Sequence, residues 1–202
     1  MSAATANPPK VWTTEDLLAM PDDGVERWII RGQLREKPSE FPEAKMTVRN
    51  RFHSEVTITV GALIRAWLQS QPKPRGKVFG GEAGVVLPGR ETAVGVDVVY
   101  VSADVVAAQE DSDSTMLDGI PTGIPTLTVE ILSPNDTQFQ IHEKTLEYLR
   151  AGVALVWVVD PDNQIVRVHQ AGKPAESYNI THRLPEHPSM PGFAPAVAEF
   201  FE

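Results

Sequence analysis

At 202 residues the chain has the length of one ordinary domain, and its 42% hydrophobic and 22% charged residues set it apart from fibrous and disordered classes. Twenty-seven acidic against 18 basic residues give a net charge of -9, which excludes a surface that grips nucleic acid or anionic membrane everywhere and confines any polyanion site to one region. With no cysteine, disulfides, thiolate nucleophiles, Cys-ligated zinc and iron–sulfur clusters are excluded together.

Residues 1–10 are small, polar and proline-containing and read as a flexible tail, with no basic segment leading into an apolar one as a signal peptide needs. Residues 11–202 are expected to fold as a single domain. Thr13, with Asp16 three residues on, predicts a capped short helix to Met20, stopped by the turn at residues 21–24. Residues 27–30 and 33–37 read as a hairpin about Arg31 and Gly32. Phe52, Val56, Val60, Leu63 and Trp67 then recur at helical spacing and predict a long amphipathic helix over 48–70.

Strand-like runs follow at 78–79, 84–87 and 96–101. The polar, acidic stretch 102–123 reads as a surface excursion with a helical turn or two at 103–109. Residues 126–132 form another strand, and 137–151 a helix ended by Gly152. Strands 155–160 and 165–170 flank a hairpin turn at 161–164. The longest unbroken apolar run, 153–159, is far shorter than the roughly 20 residues that span a bilayer, so no membrane partner and a cytoplasmic location are expected. Strands 96–101 and 155–159 are apolar on both faces, as central strands covered by helices are. The fold class is therefore α/β, a central sheet flanked by helices.

Two acids interrupt those strands. Asp97 shares a face with Val99 and Val101, and Glu130 with Thr126 and Thr128. A carboxylate there is costly unless it is hydrogen-bonded, paired or metal-bound, so each acid is either a structural acceptor or a ligand, and the two could converge on one cation. Lys144, three residues after Ile141 and four before Tyr148, lies at the edge of its helix's inward stripe, where it either snorkels or reaches the strand ends. The histidines lack zinc-ligand spacing, and the GxGxxG, GxxxxGK[ST] and GxSxG patterns are absent. Between residues 27 and 77 stand eleven basic residues and four acidic ones. Lys45, Arg49, Arg51 and His53 are the candidates there for a local phosphate-binding face.

Several segments together resemble the Uma-type restriction endonucleases of the PD-(D/E)XK nuclease superfamily. They are Val96-Asp97-Val98-Val99, residues 128–134 from Thr128 to Pro134, Glu143 to Tyr148, Ala151-Gly152-Val153 and Trp157 to Pro161. Residues 14–18, 32–34 and 191–193 extend the likeness over nearly the whole chain. The resemblance implies a restriction-endonuclease-like fold with a mixed central sheet. It also implies Asp97 and Glu130 as ligands of Mg²⁺ or Mn²⁺, Lys144 as the active-site lysine, DNA as substrate and a homodimer. The superfamily lysine usually stands two residues after the glutamate, where this chain has Leu132; its migration to the helix is the family's habit. Val96 replaces a usual proline, Gln140 a common acid, and Trp28 an opening-strand glutamate. The retained triad points to a metal-dependent endodeoxyribonuclease. The replaced acids and the net charge leave two other readings: a catalytically degenerate module that binds nucleic acid or protein, and a homo-oligomeric scaffold. Glu55 and Gln140 are secondary candidates.

Overall fold

The computed structural model describes residues 10–21, 23, 25–37, 51–89, 91–110, 123–134 and 136–202. The opening helix is α1 (Thr14–Leu18), where Thr13 and Asp16 form the expected reciprocal cap. The hairpin of β1 (Glu26–Ile30) and β2 (Gln33–Lys37) turns at Arg31 and Gly32, both at positive φ. The long helix α2 is described over Arg51–Ser70; the expected start at 48–50 lies outside the described residues. Its inward stripe is His53, Val56, Val60, Ile64, Trp67 and Leu68. Phe52, expected to face inward, is exposed, because that stripe passes through its neighbour His53.

The short runs expected at 78–79 and 84–87 belong to one strand, β3 (Lys77–Leu87), and the strand expected from residue 96 begins at Thr92 in β4 (Thr92–Val101). An irregularity in the ladder between Gly80 and Ala83 hid this continuity: Gly81 and Glu82 both take positive φ there, which breaks the alternation. Next come α3 (Ala103–Glu110), β5 (Leu127–Ile131), α4 (Gln138–Ala151), β6 (Leu155–Asp160), β7 (Ile165–His169), β8 (Glu176–Asn179) and a 3₁₀ turn at Val197–Phe200. Neither β8 nor the last turn was expected, since both are short and polar or irregular.

Among the described residues the sheet has eight strands in the order β2-β1-β4-β5-β6-β7-β8, with β3 also paired to β4. All pairs are antiparallel except β5–β6, which α4 joins as a crossover. The sheet is thus mixed and carries helices, as the composition of its central strands required. On one face, α2 and the final turn bury Val129, Ile131, Trp157 and Val166, with Trp67, Phe193 and Phe200 in aromatic contact. On the other, Val96, Val99, Val101 and Val156 pack against Tyr148 and Val153. Among the described residues no helix is long and apolar enough to cross a membrane.

Candidate active site

β4 pairs with β1 at Ala93 and with β5 at Val98 to Tyr100, so Val94 to Asp97 lie between those two contacts. The β4–β5 ladder ends at Val98 opposite Val129, and just beyond it Asp97 and Glu130 stand on these two neighbouring strands. There the Asp97 side chain replaces the backbone ladder: its Oδ2 accepts the Ile131 N–H at 2.7 Å. Its Oδ1 lies 3.1 Å from His53 Nε2, brought in by the first turn of α2.

Glu130 is held from the opposite side. Thr137 and Gln140 cap the start of α4 in a reciprocal box, and Gly152, at φ 99°, ends it in the left-handed conformation. Helix pitch then aligns Lys144 and Tyr148, four residues apart, on the face toward β5. Lys144 Nζ is 3.1 Å from Glu130 Oε2, and the Tyr148 hydroxyl donates to Oε1. The ammonium also donates to the Gly95 carbonyl at 3.2 Å, in the stretch of β4 between its β1 and β5 contacts. Asp97, Glu130, Lys144 and Tyr148 are all buried.

Burial acts first on every group here. It would raise the Asp97 carboxyl, yet the His53 contact and the Ile131 N–H outweigh it and leave Asp97 below its ordinary value. Glu130 moves upward, driven by burial and by the negative charge of Asp97, with Lys144 pulling against both. Burial favours neutral Lys144, but the Glu130 charge and hydrogen bond prevail and keep it cationic. The Tyr148 hydroxyl is driven well up by burial and by Glu130, so it remains a donor. Beside these groups a cavity of about 230 Å³ is lined by Trp28, Glu82, Gly95 and Lys144. The Lys144 ammonium stands 5.6 Å from the Trp28 ring centroid, a cation–π contact where the resemblance leads one to expect a glutamate.

Residues 14–198 match the family described as "Uma2: Putative restriction endonuclease". The chain belongs to this family. The fold agrees with a solved structure titled as a putative nuclease belonging to DUF820 from Anabaena variabilis. That protein is 19% identical, with a TM-score of 0.72 over 94% of this chain and 97% of the other. No curated protein gives a significant match to the chain.

In this Uma2 chain, Lys144 meets Glu130 directly, and Asp97 lies on the neighbouring strand, held by His53 and the Ile131 N–H. His53 is buried against Asp97 and presents no phosphate-binding surface. Arg51 is exposed and lies over the Phe52 ring, whereas Lys45 and Arg49 lie outside the described residues. The basic side chains of the first hairpin are largely taken by acids: Arg27 by Asp23 and Glu36, Arg31 by Glu147, Arg35 by Glu143, and Lys37 by Asp136. The charge excess counted along residues 27–77 is therefore not a free cationic face over this hairpin. Gln140 serves as a helix cap and Glu55 is exposed on α2, so neither adjoins the carboxylates. Tyr148 is the member the sequence concealed, and His53, singled out there as a phosphate contact, meets Asp97 instead. Spacing along α4 already placed Tyr148 one turn beyond Lys144, but nothing local signalled that its hydroxyl meets Glu130.

Among the described residues no group of three or more acidic or histidine side chains is placed to hold a metal. Two hard, buried carboxylates on neighbouring strands nonetheless fit Mg²⁺ or Mn²⁺, which bind proteins through one or two carboxylates and keep water and substrate oxygens as their other ligands. Glu130 is raised first by burial and further by the negative charge of Asp97, a charge that such a cation would offset.

Proposed function

We propose that this protein is an endonuclease that hydrolyses DNA phosphodiester bonds with Mg²⁺ or Mn²⁺, in the cytoplasm and as a homodimer. Membership of the Uma2 family supports the nuclease class. The observation that carries the reading is the buried constellation of Asp97 and Glu130 on adjacent strands with Lys144 hydrogen-bonded to the glutamate.

Asp97 and Glu130 are the residues that would hold the metal. When bound, it supplies a Lewis acid for the phosphoryl oxygen and a water of lowered pKa. His53 and the Ile131 N–H fix the two oxygens of Asp97, so its carboxylate is oriented before any ligand arrives. Tyr148 does the same for Glu130. Lys144 stays charged and stabilises the negative charge that builds on the phosphate, with the Gly95 carbonyl helping to hold its position. Burial strengthens each of these interactions relative to water.

A plasmid-nicking assay with and without Mn²⁺, alongside calorimetric titration of the metal, tests the proposal. Wild-type protein is expected to nick only with metal. Glu130→Gln should lose both Mn²⁺ binding and nicking, and Lys144→Ala should lose nicking while still binding Mn²⁺. Wild-type protein that neither binds Mn²⁺ nor nicks DNA would overturn the assignment.

A further inference from the structure

The register across three strands places a second feature in line with Glu130. Glu130 pairs with Val158 on β6, and Val158 pairs with Arg167 on β7. Paired residues project to the same face, so Arg167 stands on the Glu130 face of the sheet, two strand spacings or about 10 Å away. Between α4 and this face runs a groove of about 390 Å³, lined by Leu132, Asp136, Phe139, His142, Arg167 and His169.

Its charge differs from that of the first hairpin. Arg27, Arg31, Arg35 and Arg150 each meet a carboxylate, whereas exposed Arg167 meets none among the described residues. Asp136 also lines the groove, but its carboxylate is taken by Lys37 and by the Ser133 N–H and hydroxyl. His169 is half-buried and held below its ordinary value, first by burial and then by the nearby charges of Arg167 and His142. Arg167 thus brings a positive charge that meets no carboxylate among the described residues into an open groove, where it attracts an anion.

We infer that this groove binds a backbone phosphate of DNA flanking the one cleaved, with Arg167 as the principal contact and His142 and His169 on either side. That the anion is DNA rests on the proposed nuclease function; the anion site itself rests on the groove. Apolar Phe139, 70% exposed at its rim, offers a surface for the adjoining sugar or base.

Anisotropy of a fluorescein-labelled duplex, titrated without metal over a range of salt, tests the inference on the full chain. Arg167→Ala should lower the magnitude of the slope of log K against log salt by about one, the loss of one phosphate contact. Arg167→Glu should weaken binding at least tenfold. Arg65→Ala, an exposed change on α2, should change affinity less than twofold. Wild-type protein that binds no duplex, or an Arg167→Ala protein that keeps wild-type affinity and slope, overturns the inference. Arg167-dependent binding without any metal-dependent nicking upholds the groove and counts against the hydrolytic reading alone.

Discussion

Tyr148→Phe isolates the interaction that fixes Glu130 while leaving the packing almost untouched. The Tyr148 side chain is fully buried against Val96, Val99 and Val156, and phenylalanine fills the same space apart from one oxygen. What disappears is a single O–H donated to a buried carboxylate oxygen. Hydrogen bonds to charged groups are worth about 1.5–3 kcal/mol, and the partner left behind stays buried with Lys144 on its other oxygen only. A loss of about 2 kcal/mol is therefore expected. For a chain of this size that lowers Tm by about 4–8 °C. Thermal unfolding of Tyr148→Phe, Glu130→Gln and the double variant closes a mutant cycle. The two effects should fall short of additivity by about 1 kcal/mol or more, because a neutral amide makes less of the hydroxyl than a carboxylate does. Tyr148 acts through Glu130 and does not touch the phosphate, so the variant should bind Mn²⁺ more weakly while duplex affinity measured without metal is unchanged. A Tyr148→Phe protein as stable as wild type, or strictly additive effects, would refute the argument.

Thr137→Ala removes the side chain that caps α4 and leaves the Gln140 N–H without its acceptor; a loss of about 1 kcal/mol is expected in urea unfolding. Burial raises the Asp136 carboxyl, but the Lys37 and Ser133 hydrogen bonds lower it further, so its folded value lies below the ordinary one. The stability it contributes is then present above the ordinary carboxylate range and lost as pH falls through the folded value; Asp136→Asn should flatten that acid limb of a stability–pH profile.

The parts of the fold readable in the sequence were those governed by near neighbours. Thr137 and Gly152 bracket α4 because capping chemistry acts within one turn, and Asp97 and Glu130 drew notice because a charge inside an apolar strand needs a partner. The unread parts depend on distant ones. β3 looked like separate runs because Gly81 and Glu82 interrupt its alternation, and only pairing with the full length of β4 shows its continuity. The hairpin arginines looked like a cationic face until α4 supplied Glu143 and Glu147 from more than 100 residues away. His53 was singled out as a phosphate contact, because a histidine near a helix start says nothing about the carboxylate it will meet on a distant strand.

The uniform oiliness of β4 leaves open which way it should slide. Val94, Val96, Val98, Val99 and Val101 are all buried and lie on both faces of the strand, so the apolar pattern by itself opposes a shift by one residue only weakly. The same shift would deprive the Ile131 N–H of its acceptor, Asp97, and present Lys144 with a different backbone carbonyl. Each stranded buried charge costs several kcal/mol, far more than a misplaced methyl. The polar constellation thus also proofreads the mispairing of the strand that carries it. Replacing both acids with leucine should give a chain no less oily but less single-minded, seen as multiplied or broadened amide resonances for β4, and a single sharp set would count against this role.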